Sequence, residues 1–166
     1  MRPEAVEAML PFLSERFANP SGSHRFAREA RAAVDDAREV VAGVLGCDPG
    51  DVVFTGSGTE GDNTAVLGAV ARGGGSAVCP AAEHHAVLHA VEQVHGAVVP
   101  VTADGTADPE VLAETLESLM GSAGVAVVSV MTVNNEVGCI TDMAAVAAVV
   151  RRHAPGALLH TDAVQA

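Results

Sequence analysis

Val125-Ala126-Val127-Val128-Ser129-Val130-Met131 runs apolar with one small hydroxyl and no polar–apolar alternation. A strand with one face in water alternates, whereas a strand covered on both faces reads as a continuous apolar run. The flanks agree with covered faces. Upstream, Asp108 and Pro109 open a helix that runs to Met120. Asp108 stands as the N-cap, and Pro109 at the first helical position gives up an N–H that would have no helical partner anyway. Downstream, Asp142 caps a helix whose last turn, Arg151-Arg152-His153, sets basic side chains against the negative end of the helix dipole, and Pro155-Gly156 stops it.

The same unit repeats further out. Val52–Thr55 reads as a strand leading through a Gly-rich turn into an Ala-rich helix from about Thr59 to Arg72. Ala77–Cys79 is a strand before a helix over His85–His95, Ala97–Val101 is a third strand, and Ala157–Thr161 a fifth. Before them, Arg25 to Leu45 places apolar residues at 30, 33, 34, 37, 40, 41, 44 and 45, one helical stripe stopped by Gly46. Five strands alternating with helices predict an α/β fold, a three-layer αβα arrangement around a mostly parallel sheet. No second domain, low-complexity tract or long linker is expected in residues 1–166, and Gly73-Gly74-Gly75 reads as a turn.

Composition narrows the function classes. The 166 residues are 49% hydrophobic with four Phe and no Tyr or Trp, so the core is built from Ala, Val and Leu. A net charge of −12 repels polyanions, which argues against nucleic acid and anionic membranes as partners. Apolar runs are well short of a membrane span and no charged-then-apolar leader opens the chain, so the expectation is a cytoplasmic protein. Cys47, Cys79 and Cys139 are odd in number and widely spaced, which predicts reduced, mostly buried thiols rather than disulfides or a zinc site. All nine basic residues are Arg; there is no lysine.

Ligands of an open parallel sheet sit beyond the carboxyl ends of its strands. Four of the five expected strands end in polar clusters: Gly56-Ser57-Gly58-Thr59-Glu60, Glu83-His84-His85, Asn134-Asn135-Glu136, and Asp162 with Gln165. Only Asp104-Gly105 is plain. The small-residue turn would offer free N–H groups at a helix N-terminus to a phosphate, with the Thr59 hydroxyl beside them, or be only a tight ligand-free turn. His84 could stack on a flat ring or be an ordinary helix-start histidine. Asp162, at the end of an apolar strand, needs a cationic partner, either a protonated ring nitrogen or an arginine. Asn135 and Gln165 could hold a phenolate-like oxygen or bind loop backbone. Each is weak alone; their shared edge is the stronger signal.

Asn19-Pro20-Ser21-Gly22-Ser23-His24, Phe54-Thr55-Gly56-Ser57-Gly58-Thr59-Glu60-Gly61-Asp62-Asn63, Glu83-His84-His85-Ala86-Val87-Leu88, Asn134-Asn135-Glu136-Val137-Gly138 and His160-Thr161-Asp162-Ala163-Val164-Gln165 occur in that order. The set resembles the class V aminotransferase group, specifically the NifS/IscS-like cysteine desulfurases, and covers nearly the whole chain. The resemblance implies a partial large domain, over 1–166, of a fold type I enzyme using pyridoxal 5′-phosphate. Gly58 and Thr59 would bind the phosphate. His84 would stack on the ring and assist proton transfer, which makes it the candidate catalytic residue. Asn135 and Gln165 would contact the phenolic oxygen side, and Asp162 would hold the pyridinium proton.

The resemblance further implies L-cysteine as substrate, alanine as product and a persulfide passed to a sulfur-acceptor or scaffold protein for iron–sulfur or thio-cofactor assembly. It also implies a homodimer at full length. The family's opening strand, its Schiff-base lysine in a Ser-x-His-Lys segment, its sulfur-accepting cysteine and its smaller domain have no counterpart in these residues. The expectation is therefore a fragment, inactive alone, with the opening strand before Met1 and the other parts beyond Ala166.

Rival readings remain. Gly56-Ser57-Gly58-Thr59-Glu60-Gly61 matches GxGxxG after an expected strand, and Glu83 lies where a ribose-binding acid would. That reading leaves His84, Asn135 and Asp162 unused. A selenocysteine lyase shares the motifs, and an inert interaction module is compatible with an incomplete sheet. His85 and His89 share a helix face, but no third ligand is evident, so no metal is expected.

Overall fold

The computed structural model describes all of Met1–Ala166. By internal contacts the chain divides into two compact units, Met1–Phe54 and Thr55–Ala166.

The first unit is helical. Helix α1 (Pro3–Ser14), which the sequence reading did not anticipate, starts at a proline whose fixed φ suits a first turn. Helix α2 spans Arg25–Leu45, the range expected from its stripe. The His24 side chain caps it by accepting the Ala27 N–H, and Gly46 closes it in the left-handed region at φ 70°, where a side chain would be strained. The stripe itself is not buried. Val34, Val40, Val44 and Leu45 are exposed, and only Ala27 and Ala42 of this unit are core residues.

The expected strand over Val52–Thr55 does not form. Val52 is extended after a 3₁₀ turn at Pro49–Asp51, but no strand pairs with this stretch, and without a partner for its N–H and C=O groups extended chain is not sheet. The sheet therefore has four strands rather than five.

The second unit holds the sheet. Its elements are α3 (Gly58–Gly73), β1 (Ser76–Pro80), α4 (His85–Gln93), β2 (Ala97–Val99), α5 (Pro109–Met120), β3 (Val125–Ser129), α6 (Met143–His153) and β4 (Leu158–His160). The order across the sheet is β2-β1-β3-β4, and every pair is parallel. β2 stops at Val99 because Pro100 has no N–H to continue the ladder; Val101 instead bridges Ala107.

The faces of the strands separate two cores. Ala77 and Cys79 of β1 and Val127 of β3 pack with Val66, Val87 and Val91 of α3 and α4. Val78, Val128 and Val130 point the other way and pack with Leu112, Leu116, Val146 and Val150 of α5 and α6. This is why the β3 run shows no alternation. Each fully buried Leu or Val here contributes about 2 kcal/mol of transfer free energy. The arrangement also follows from handedness. The β1–α4–β2 crossover moves one way along the sheet, and the β2–α5–β3 and β3–α6–β4 crossovers move the other. Right-handed connections then put α4 on one face and α5 and α6 on the opposite face.

That reversal makes the carboxyl ends of β1 and β3 neighbours with diverging connections, the place where an open α/β sheet leaves a crevice. One backbone position is sterically fixed at the opposite, amino-terminal edge of the sheet. At Gly96 a Cβ would lie 2.4 Å from the Ala77 carbonyl oxygen and 2.7 Å from Val91 Cγ1, so only glycine lets the chain enter β2 against β1. Of the cysteines, Cys79 is buried, Cys139 is half-buried and Cys47 is exposed, so the expectation of mostly buried thiols holds for Cys79 alone. No helix is long and apolar enough to cross a membrane.

Candidate functional site

The crevice is a cavity of about 240 Å³ lined by Gly58, Thr59, Asp62, His84, Met131, Asn135, Asp162, Val164 and Gln165. All six residues singled out from the sequence line it. The structure adds Asp62, Met131 and Val164.

The α3 end comes from a capping box. Ser57 Oγ accepts the Glu60 N–H at 3.2 Å, and the Glu60 carboxylate turns back to accept the Gly56 N–H at 2.6 Å. The first intrahelical bond is Gly61 N–H to the Ser57 carbonyl. Gly58 and Thr59 therefore keep unpaired N–H groups at the positive end of the dipole, and the Glu60 charge is engaged away from them. Asn63 donates to the Thr59 and Ala86 carbonyls, at 2.8 and 3.3 Å, tying α3 to the start of α4.

His84 is the N-cap of α4. Its Nδ1 accepts the Ala86 N–H at 3.1 Å, so a neutral ring carries its proton on Nε2 and can donate there. The two consecutive asparagines divide their tasks. Asn134 donates to the Ala82 carbonyl at 2.7 Å and accepts the Glu136 and Val137 N–H groups at 2.8 and 2.9 Å, which shapes the loop after β3. Asn135 is left exposed on the cavity wall.

Asp162 lies two residues past β4, where Thr132 N–H still bonds its carbonyl at 3.1 Å. It is 6% exposed, one carboxylate oxygen accepts the Val164 N–H at 3.0 Å, and no arginine reaches it. The alternative of a structural Asp–Arg pair is thus removed. The plain loop after β2 stays out of this cavity: Asp104 accepts the Thr102 and Thr106 hydroxyls and the turn closes on itself.

Sequence reasoning missed the groups behind the wall. Asp62, quoted above only within the Phe54–Asn63 segment, is 7% exposed, and its carboxyl pKa is raised by burial and then by the neighbouring Asp162 charge, with His160 and His84 opposing. His160 Nε2 lies 3.7 Å from Asp62 Oδ1, and its Nδ1 is 2.8 Å from Ser129 Oγ; burial lowers its pKa, with Asp62 and Asp162 opposing. Glu83 is also buried. Its Oε1 accepts the Met131 N–H, joining the loops after β1 and β3, while its Oε2 has no partner. Burial pushes this carboxyl up to about 8, with the Met131 bond pulling down and Asp162 and Asp62 adding to the rise. The one available sequence signal was an acid or histidine at an inward strand or helix position.

Glu83 turned inward is not placed to bind a ribose, which removes the residue the dinucleotide reading needs. Ligand atoms of Asp62, His84 and Asp162 lie within 4.8 Å of one another. A cation there would have to break the His84 cap or take the proton from Nε2, so the histidine suits donation better than metal ligation.

A family model, Aminotransferase class-V, matches residues 1–166. The chain belongs to the class-V aminotransferase family. It is 36% identical over 173 residues to the cysteine desulfurase IscS of Dictyoglomus turgidum, covering 99% of this chain and 42% of that protein. A NifS-like protein of known structure superposes with a TM-score of 0.88 at 30% identity, covering all of this chain and 46% of the other. An SspA structure in complex with cysteine superposes at 0.83 with 29% identity, covering 100% and 48%. The chain spans about two fifths of the length of the curated relatives it matches. Family members are pyridoxal 5′-phosphate enzymes.

Proposed function

We propose that this chain is the cofactor-holding part of a cysteine desulfurase working with pyridoxal 5′-phosphate. The observation that carries the reading is the convergence of six residues from four loops on one 240 Å³ cavity. Their free groups fit the cofactor. Gly58 and Thr59 offer unpaired N–H groups and a hydroxyl suited to a phosphate. Asp162 is buried with one oxygen unmatched by any donor, which suits a protonated ring nitrogen. Asn135 and Gln165 supply amide donors for the ring's phenolic oxygen, and His84 supplies Nε2–H at the ring face.

When bound, the cofactor supplies an electron sink for bonds at the α-carbon of an amino-acid substrate. This chain's residues do the rest of the holding. Gly58 and Thr59 fix the phosphate end, Asp162 keeps the ring nitrogen protonated, and Met131 and Val164 exclude water. His84 holds or moves a proton at Nε2. Its Nδ1 stays tied to the α4 backbone, so the ring is oriented before any ligand arrives.

The chain contains no lysine, so the amine that anchors the cofactor's aldehyde comes from outside these residues. The thiol that takes sulfur from L-cysteine does too: none of the three cysteines lines the cavity, and burial pushes Cys79 up to about 12, far from a thiolate. The relatives named cysteine desulfurase support L-cysteine as substrate; alanine as product and delivery of a persulfide sulfur to an acceptor or scaffold protein by a cytoplasmic homodimer complete the proposal.

The decisive experiment uses pyridoxine 5′-phosphate, which keeps the ring and phosphate but needs no lysine. It should bind the chain saturably, and Asp162→Asn and Thr59→Ala should each weaken it by about tenfold or more, the loss of one charge-assisted contact. Saturable NADH binding with no affinity for pyridoxine 5′-phosphate would overturn the reading. Joined to a polypeptide supplying the lysine and the cysteine, the chain should release alanine from L-cysteine. Release from L-selenocysteine alone would instead identify a lyase.

A further inference from the structure

From the cavity wall inward runs a row of buried and half-buried polar groups that holding a phosphate and a ring does not by itself require. From β3 inward it is Ser129 Oγ, His160 Nδ1 at 2.8 Å, His160 Nε2, and Asp62 Oδ1 at 3.7 Å, with Asp162 next. Asp62 and Asp162 reach this place from α3 and from the loop after β4, and each is under a tenth exposed. We propose that Asp62 and Asp162 act as one electrostatically coupled carboxyl pair beside His160 and Ser129, in which Asp62 is a positioning residue setting how strongly Asp162 grips a cationic ring nitrogen. The ring part of this inference rests on the function proposed above; the pairing does not.

Two carboxylates this close and this dry do not both ionise at no cost. The groups facing Asp62 are few. They are Asp162 beyond β4, His160 on β4, and His84 and Glu83 at the start of α4; on α3 itself Glu60 is engaged with Gly56. No lysine or arginine forms an ion pair with it. The compensation inside the chain is a proton on Asp62 or the Nε2–H groups of His160 and His84, and Ser129 fixes the His160 ring in the pose that presents Nε2 to Asp62. A protonated ring nitrogen entering beside Asp162 would supply the compensating charge, and Asp62, releasing its proton to solvent, would add the field of its carboxylate to the grip.

The test follows the aspartate carboxyl carbons by NMR through a pH titration of the ligand-free chain, with Asp62→Asn and Asp162→Asn assigning the signals. The Asp62 midpoint is expected above the ordinary carboxylate range, raised by burial and then by the Asp162 charge. In Asp162→Asn that charge is gone, and the Asp62 midpoint should fall. His160→Gln keeps an amide donor towards Asp62 and should leave its midpoint near the wild-type one, whereas His160→Ala should raise it; this second pair of variants decides the matter if Asp162→Asn does not fold. An Asp62 curve in Asp162→Asn superimposable on wild type would overturn the pair, as would identical Asp62 curves in the two His160 variants.

The second readout is the absorbance of bound pyridoxine 5′-phosphate, which reports the protonation of its ring nitrogen. Asp62→Asn should weaken binding of the protonated ring by about tenfold and move the absorbance midpoint to lower pH, since a carboxylate no longer favours the cation. A purely structural Asp62 would weaken binding equally at every pH and leave the midpoint in place, and that result overturns the positioning role. If the wild-type chain does not bind the probe at all, the cofactor reading and the ring part of this inference fall together, and the carboxyl titration alone decides the pair.

Discussion

Met1–Phe54 and Thr55–Ala166 are built from similarly apolar sequence but spend it differently. In the second unit the sheet gathers Val, Leu and Ala from three strands and four helices into two cores. In the first, α2 carries a textually clean stripe whose large members, Val34, Val40, Val44 and Leu45, remain exposed, together with Leu10, Leu13 and Phe17. An amphipathic period reports which face of a helix is apolar, and only packing decides whether that face is buried. Stability in the second unit should therefore respond to single side chains, and in the first hardly at all.

The largest effect that would sharpen this contrast is Leu112→Ala. Leu112 is fully buried against the α5–α6 side of the sheet, and removing it should cost about 3 kcal/mol or more in chemical denaturation. Next is Gly96→Ala. The added Cβ meets the Ala77 carbonyl, which is backbone and cannot swing aside, so a loss of about 2 kcal/mol is expected in the same measurement.

Glu83 gives a smaller effect with a distinctive sign. An unfolded Glu83 loses its proton near 4.5, while the folded one keeps it up to about 8. The folded state therefore binds the extra proton across that window. The stabilisation is complete below the lower value and is lost as pH rises through the higher one, with a slope of at most about 1.4 kcal/mol per pH unit. Glu83→Gln should flatten that part of the stability–pH curve; an unchanged slope would show that Glu83 is not its source.

The smallest effect belongs to the first unit. Val44→Ser, at an exposed α2 position, should shift stability by less than about 0.5 kcal/mol. A loss comparable to Leu112→Ala would break the contrast and show that the stripe is buried in the folded molecule in solution.

The site residues were legible because each stands at a chain position with a local meaning. A glycine turn before a helix, a histidine at a helix start, an asparagine pair after an apolar run and an aspartate closing a strand are all short-range patterns. Asp62, His160 and Ser129 carry no such mark. They matter because α3, β4 and β3 converge, and their separation of dozens of residues along the chain hides that. Glu83 was visible only as a spacing match to a ribose acid, and its actual bond to Met131 joins two loops that sequence cannot place together.

By itself, the sequence determined the alternation of strands and helices, the parallel sheet, the bounds of α2 and α5, and the lack of a lysine or a cavity-facing motif around any cysteine. These follow from periodicity, capping chemistry and residue type, which act within a few residues. The tertiary structure decided that Val52–Thr55 pairs with nothing, that the α2 stripe stays exposed, and that two carboxylates and a histidine share one dry wall. Strand pairing, burial and charge coupling depend on distances between residues far apart in the chain, and those distances exist only after folding.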